Sequence, residues 1–395
     1  NTTLIKGGMP AQYGGRLSSV LDISMKEGNM NKFEVDGGIG LIASRLSIQG
    51  PIKKDKASFI VSARRTYIDL LIKPFIPKTS SYSGSGYFFY DLNTKVNYKF
   101  SEKDRLYLSG YFGRDVFDFN NAKRSFSTNV PWGNTTATLR WNHVFNPKLF
   151  ANTTLLYNDY RFAFNGAQDN FQLSLASGIH DLTAKSDMDY FISPKHKARF
   201  GGLYTYHTFT PNILTGHQDS TVFEPNNSNK KYARETALYV QDDWQVSNRV
   251  QMNLGLRWSG FEQLGPYTIF QEDANGNKTD STQFSRGKTV KAYGGLEPRA
   301  TIRYSFNDET SIKASVSRNL QYIHLVSNAG TTLPTDLWVP STYRVQPQTS
   351  WQYAGGVFRN FRNNEYETSI ELYYKRMDHQ IEYREEYTTS LNDQE

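Results

Sequence analysis

Seven histidines are the first residues to test for chemistry: His143, His180, His196, His207, His217, His324 and His379. They are scattered. No two sit four apart around a glutamate, so the pair that holds zinc on one helix face is missing. No glycine-rich phosphate loop and no serine nucleophile elbow occurs either. Cysteine is absent, which removes thiolate metal ligands and disulfides. The run Asp273-Ala274-Asn275-Gly276-Asn277-Lys278-Thr279-Asp280 has oxygen donors spaced like the start of a calcium loop, but Phe284 stands where the closing glutamate belongs. Asn275-Gly276 is then better read as a turn tip. Arg64-Arg65 could supply a guanidinium fork for an anion. Neighbours on a strand point to opposite faces, so only one of the two could serve an interior site, and pairing with a carboxylate is the plainer use. These residues predict no catalytic centre, no metal site, no cofactor and no enzyme.

The elements that carry them repeat with period two. Val250, Met252, Leu254, Leu256 and Trp258 share one face, and Gln251, Asn253, Gly255, Arg257 and Ser259 share the other. Leu296, Pro298, Ala300, Ile302, Tyr304 and Phe306 alternate with Glu297, Arg299, Thr301, Arg303 and Ser305. Ala137, Leu139 and Trp141 alternate with Thr136, Thr138, Arg140 and Asn142. Arg140, Asn142, Asn253, Arg257, Arg299 and Arg303 are the candidates for a polar interior. Strands are expected at about 33–40, 43–50, 57–71, 87–100, 105–119, 134–145, 149–165, 171–192, 196–211, 233–246, 250–264, 296–306, 310–326, 349–361 and 365–386, about fifteen in all.

Their connections alternate in length. Short polar turns fall at Ser101-Glu102-Lys103-Asp104, Asn146-Pro147-Lys148, Ser193-Pro194-Lys195, Ser247-Asn248-Arg249, Asn307-Asp308-Glu309 and Arg362-Asn363-Asn364. Long polar loops cover about 73–86, 120–133, 212–232, 265–295 and 327–348. A meander with tight turns at one end and long loops at the other is the layout of a transmembrane β-barrel. Soluble sandwiches alternate too, but their strands run about 5–6 residues. Here 365–386 runs about twenty without a breaker, and Phe100, Phe145, Ile192, Phe306 and Phe361 stand just before short turns, where an interfacial girdle would lie. The expected class is therefore all-β: a transmembrane antiparallel β-barrel in the outer membrane of a Gram-negative bacterium, its short turns periplasmic and its long loops outside.

Composition agrees. The 395 residues are 38% hydrophobic and 14% aromatic, with 26 tyrosines and 25 phenylalanines. No apolar run approaches the roughly 20 residues of a spanning helix. The net charge of +7 is spread over turns, loops and strand faces, which argues against nucleic acid as a partner. No signal peptide stands before Asn1, and the polar Leu391-Asn392-Asp393-Gln394-Glu395 is not a closing strand. The expectation is a piece lacking both ends of its natural protein, or completed by another chain.

Residues 1–28 break the rhythm. Gly7-Gly8-Met9-Pro10-Ala11-Gln12-Tyr13-Gly14-Gly15-Arg16 is a glycine-rich turn region, and Leu17 to Lys26 follows as a short strand ended by Glu27-Gly28. Here the chain resembles the TonB-dependent outer-membrane receptors. It matches the exit of their plug domain at Gly14, Gly15, Arg16, Ser18, Ser19, Val20, Asp22, Lys26 and Gly28. Tyr239-Val240-Gln241-Asp242-Asp243-Trp244 with Leu254-Gly255-Leu256-Arg257 is similar to a strand pair of the same family. Leu333 to Pro340 and Tyr373-Tyr374-Lys375 resemble motifs of its Bacteroidota branch.

The resemblance implies residues 1–28 as the end of a plug and 29–395 as an incomplete barrel of about 22 strands in the whole protein. It implies active uptake of a bulky nutrient such as a glycan, peptide, metal chelate or cobalamin. The implied partners are the TonB-ExbB-ExbD complex, a surface lipoprotein or other outer-membrane subunits, and outer-membrane lipid and lipopolysaccharide. Gly14, Gly15, Arg16, Lys26 and Gly28 form the plug-exit motif. The strand Leu17 to Met25 is expected to pack on the barrel wall. The loop aromatics Tyr82, Phe223, Trp338 and Tyr343 could stack on a substrate or pack the loops together. The competing reading is a non-transporting barrel scaffold within a larger outer-membrane complex; a passive porin fits less well, because a porin needs no plug.

Overall fold

A computed structural model describes residues 2–77, 80, 83–121, 125–219, 221–223, 230–272, 278–326, 336–362 and 364–382. The first two strands, β1 (Thr2–Ile5) and β2 (Val20–Ile23), pair with each other. Then come β3 (Glu34–Ile39), β4 (Ala43–Lys53), β5 (Ala57–Thr66), a short helix α1 (Ile68–Ile72), β6 (Gly86–Lys99), β7 (Asp104–Asn121), β8 (Phe126–Asn146), β9 (Leu149–Gln168), β10 (Phe171–Ser193) and β11 (His196–Gln218). The second half comprises β12 (Thr221–Phe223), β13 (Lys231–Gln245), β14 (Val250–Leu264), β15 (Tyr267–Glu272), β16 (Lys278–Phe284), β17 (Thr289–Ser305), β18 (Thr310–Gln321), β19 (Ile323–Val326), β20 (Leu337–Pro340), β21 (Gln348–Phe361) and β22 (Tyr366–Asp378).

One antiparallel sheet of 16 strands dominates. Its path runs from β3 through consecutive neighbours to β22, with β12 added beside β11, while the hairpins β15–β16 and β19–β20 stand apart from it. All fifteen expected strands are present along that path. The short turns form because a side-chain oxygen stands in for the missing ladder partner. Asn146 Oδ1 accepts from the amides of Lys148 and Leu149, Asn307 Oδ1 from Glu309 and Thr310, and Ser101 Oγ from Lys103 and Asp104.

The sheet is strongly curled. Leu17 accepts a hydrogen bond from Lys375 on β22, and Gly28 lies against the backbone of Phe59 on β5. Eleven residues reach at most about 40 Å. Twelve strand spacings of a flat sheet would need about 58 Å. The concave face thus encloses residues 6–28.

Six expectations need correction. The strand placed at 310–326 breaks at Tyr322, its last part being β19 of a separate hairpin, and the loop placed at 265–295 contains β15, β16 and the start of β17. The strand placed at 57–71 stops at Thr66, and the apolar run after Tyr67 turns into α1. The loop placed at 120–133 is mostly strand, since β8 starts at Phe126 and continues through Pro131. Its ladder to β9 skips Val130 and Pro131 and resumes at Trp132, which removes the need for the missing proline N–H. The strand placed at 365–386 ends at Asp378, where His379 adopts φ +58. Finally, β9 and β10 are joined at the loop end by only Asp169 and Asn170, so the alternation of connection lengths is not universal.

Candidate functional site

The densest cluster of buried polar side chains lies on the concave face of β10, β11, β13, β14 and β17, under residues 10–16. Alternation puts Arg257, Ser259 and Phe261 of β14 on that face, and register sets Arg257 opposite Glu297 of β17. Arg257 is 1% exposed and Glu297 0%. Their ion pair measures 3.5 Å, and Arg299 approaches the same carboxylate at 3.0 Å. One carboxylate thus serves two buried guanidinium groups, and Ser259 Oγ donates to it at 2.7 Å. Beside this trio His207 Nδ1 meets Asp181 at 2.7 Å, with Glu235 3.7 Å from its other ring nitrogen.

The glycine-rich segment binds this layer through its backbone. Arg299 donates to the carbonyls of Pro10 and Tyr13 at 2.6 and 2.5 Å. Gln241 accepts from the Ala11 amide at 2.8 Å, and Arg199 donates to Gln12 at 2.7 Å. Gly14 has no side chain because a Cβ there would sit 2.8 Å from Arg257 Cζ. Gly15 combines φ +73 with the Glu235 carboxylate, 3.2 Å from where its Cβ would be. Burial raises the Tyr13 phenol above its ordinary value.

Toward the loop end the polar layer gives way to an apolar one. Phe261 stacks on Tyr322 at 5.2 Å, with Phe209, Leu320 and Ile323 around them. Trp338 of the β19–β20 hairpin packs against this cluster, and the Arg16 guanidinium lies 5.7 Å over its ring. His324 is wholly buried in the same hairpin and meets Ser341 Oγ at 2.9 Å. Burial, with the Arg16 charge in support, brings its pKa down to about 4. The connection between β18 and β21 is therefore folded inward over residues 11–17. Beside it Phe270, Gln271, Tyr343 and Arg344 border an open cleft of about 590 Å³. Among the described residues no three His, Asp or Glu side chains converge as metal ligands.

A sequence model for "TonB dependent receptor-like, beta-barrel" matches residues 70–394. The chain belongs to that family. Solved structures share its fold. The copper transporter OprC superposes with a TM-score of 0.66 at 11% identity, over 95% of this chain and 58% of that one. The siderophore receptor PiuA from Acinetobacter baumannii gives 0.64 at 12% identity, over 93% and 60%. The ferric-catecholate import receptor Fiu from E. coli K12, in its closed form, gives 0.63 at 13% identity, over 97% and 63%. The chain thus spans about three fifths of the length of these receptors. No curated protein matches it.

Within this family barrel the sequence candidates separate. Arg257 and Arg299 come together under residues 10–14. Asn253 donates to Asp243, and Asn142 to Asn152. Arg140 is exposed and donates to Thr154 at 3.3 Å, and Arg303 is exposed. Gly14, Gly15 and Arg16 join the site. Gly28 is far from it, where a Cβ would strike the Phe59 carbonyl, and Lys26 is exposed. Trp338 joins the apolar layer and Tyr343 the open cleft. Tyr82, residues 273–277 and 327–335, and the side chain of Phe223 lie outside the described residues. Arg64 pairs with Asp91 at 2.7 Å, while Arg65 turns to the other face.

The wall contact expected of the strand Leu17 to Met25 is made at its two ends, by Leu17 with Gln321 and Lys375 and by the Met25 carbonyl with Lys95, and also by the glycine-rich loop before it. The strand itself is only Val20–Ile23, it pairs with β1, and Leu21 and Ile23 stay exposed. Three buried residues of this cluster are not among the interior candidates read from the sequence: Glu297, Glu235 and His207. Glu297 had a visible signal, standing two residues from Arg299 on the same polar face of one strand.

Proposed function

We propose that this chain forms the greater part of an outer-membrane active transporter of a Gram-negative bacterium. Residues 1–28 are the end of its plug and 29–395 belong to its barrel. Substrate binds on the loop side, and the TonB-ExbB-ExbD complex supplies the pull that moves the plug. The long connections face the cell exterior and the short turns the periplasm. The substrate class is a bulky nutrient: a metal chelate, cobalamin, a glycan or a peptide.

One observation carries this reading. Residues 10–16 hold to the concave face of β11, β13, β14 and β17 through hydrogen bonds to buried polar side chains. Polar contacts can be exchanged for water when a segment is pulled, whereas a packed apolar core resists displacement. A segment held this way suits a plug that must move. The solved neighbours support the same direction: they are a copper transporter, a ferric-catecholate import receptor and a siderophore receptor.

The test is uptake by cells carrying the full-length protein, with and without a protonophore. Substrate accumulation should stop when the proton motive force collapses, while surface binding persists. Uptake that continues unchanged would leave a passive pore, and an absence of any uptake with an intact barrel would leave the scaffold.

A further inference from the structure

Residues 6–17 form an arch with unequal supports. Its tip rests on charged donors. Arg299 donates to the carbonyls of Pro10 and Tyr13, Arg257 to that of Ala11, and Arg199 to the side chain of Gln12. Its two ends rest on β18, β21 and β22. Gln352 donates to the Lys6 carbonyl at 3.3 Å, Gln321 accepts from the Leu17 amide at 3.2 Å, and Lys375 donates to the Leu17 carbonyl. Charge-assisted hydrogen bonds are about twice as strong as neutral ones. The tip has most of them, and the ends share the one from Lys375.

Between the two end attachments the wall is incompletely bonded. Register sets Ser315 opposite Ala354, Ser317 opposite Gln352, Asn319 opposite Ser350 and Gln321 opposite Gln348. Gln321 and Gln352 reach the arch, so alternation puts this whole set on the concave face. None of these side chains is charged. Asn319 is 1% exposed and Ser350 0%. Yet Asn319 Oδ1 and Ser350 Oγ have no hydrogen-bond partner. A polar atom buried without a partner carries its full desolvation penalty, and water admitted to this seam would remove it. On the tip side the unpaired atoms are Arg257 Nε and Arg299 Nε, which belong to guanidinium groups whose charge Glu297 meets.

The topology also fixes the order in which a pull arrives. Strands β1 and β2 pair from Thr2↔Ile23 to Ile5↔Val20, so a short ladder ties the base of the arch together. Tension on the chain ahead of β1 loads Lys6 directly and Leu17 through that ladder. The tip is loaded last.

We propose that the pull detaches both ends of the arch from β18–β22 while Arg257 and Arg299 keep its tip, so that the passage opens along β18 and β21. Ser315, Ser317, Asn319, Ser350 and Gln352 line this passage. Asn319 and Ser350 gain in the open state the partners they lack in the closed one. The inference rests on the transporter reading, which supplies the pull.

The experiment uses growing cells that carry the full-length protein, with and without a protonophore. Cysteine is absent from this chain, so single thiols can report on each wall. Ser350→Cys marks the seam. Ala237→Cys marks the tip side, where β13 places an equally buried residue opposite Ser259. The probe is a membrane-impermeant, negatively charged methanethiosulfonate, and the labelling rate is read. Ser350→Cys should label several-fold faster in energised cells, and Ala237→Cys should label at one slow rate in both. Gly7→Cys with Ala354→Cys reports the same detachment independently. Their Cβ atoms would stand 3.6 Å apart, within the usual disulfide range of about 3.5–4.5 Å. Their oxidation should be several-fold slower in energised cells. Heat-modifiable migration identifies folded variants, and Asn319→Cys replaces Ser350→Cys if that variant does not fold. Faster labelling at Ala237→Cys, alone or together with Ser350→Cys, overturns the proposal, because the tip has then left its wall. Unchanged labelling at Ser350→Cys overturns it as well. Crosslinking to TonB in the same cells separates the two readings. A protein that crosslinks but shows no change at Ser350→Cys defeats the route alone, whereas one that never crosslinks defeats the transporter and the route with it.

Discussion

The concave face has two walls of similar sequence and different physics. On β13, β14 and β17, Arg257, Glu297 and Arg299 are almost completely buried and share their charges at 3.0–3.5 Å under residues 10–14. On β5 to β8, Arg64 meets Asp91 with more than half of its side chain exposed, and Arg140 is solvated. Both walls read as polar residues alternating with apolar ones. What separates them is which wall the glycine-rich segment covers. A charge beneath it must be paired, because desolvation without a partner costs several kcal/mol, whereas a charge on the open wall keeps its water.

The largest effect should come from breaking that sharing. Glu297→Ala strands two buried guanidinium groups, and the loss should reach about 3–5 kcal/mol. The matching change on the open wall, Arg140→Ala, removes an exposed charge and should cost below about 1 kcal/mol. Urea unfolding in lipid vesicles measures both. Equal losses would mean that burial under residues 10–14 does not set the difference.

The convex face supplies the control. Leu254 lies behind the covered wall and Leu108 behind the open one, and both are exposed on the outside. If this face meets lipid as proposed, arginine at either position should cost about 2–4 kcal/mol near the bilayer midplane. The two penalties should agree, because the bilayer rather than the inner segment determines them. A clear gap between them would show that the covered wall stiffens its strands from within.

Next in size is the contact itself. Gly14→Ala places a methyl group against the Arg257 guanidinium, and overpacking of this kind costs about 1–3 kcal/mol. Gly355→Ala on β21 meets nothing nearer than 3.8 Å and should be close to neutral. Limited proteolysis of residues 6–17 in the folded barrel reads the difference directly. Faster cleavage is expected for Gly14→Ala alone.

How far these walls were legible follows from the range of each signal. Period-two alternation is local, so the fifteen strands along the main path of the sheet are legible, and the polar phase of β14 reads directly from residues 250–264. Turn chemistry is local as well, which is why Asn146 and Asn307 marked real turns. The covering segment is not local. Nothing near Arg257 distinguishes it from Arg140, since the residues that bury it are more than two hundred positions away. For the same reason residues 310–326 read as one strand and 327–348 as an open loop, whereas the sheet strand ends at Gln321 and Ile323–Val326 pairs with Leu337–Pro340. That hairpin's Trp338 packs against the cluster of Phe209 and Phe261 at the mouth of the curled sheet, and its His324 is buried against Ser341. Pro131 misled in the opposite sense: proline usually ends a strand, but one ladder could skip it.

The smallest effect concerns that inward-folded hairpin. His324 is neutral in the folded protein because burial holds its pKa near 4, against about 6.5 when unfolded. A depressed folded pKa means that the open form binds the proton more tightly. Closure is therefore at full strength above about pH 6.5 and weakens as pH falls from there toward 4. At pH 5.5, one unit below the ordinary value, the loss should be about 1 kcal/mol, confined to β19–β20 and its contact with Arg16. Amide exchange in Ile323–Val326, corrected for the intrinsic pH dependence, should show protection dropping several-fold between pH 7 and 5.5. Amides of β14 should not follow, because the sheet does not depend on the hairpin. His324→Gln removes the titrating group and should flatten the profile. A profile that keeps its slope in that variant would move the pH response to another group and leave the buried imidazole a purely structural part of the cap.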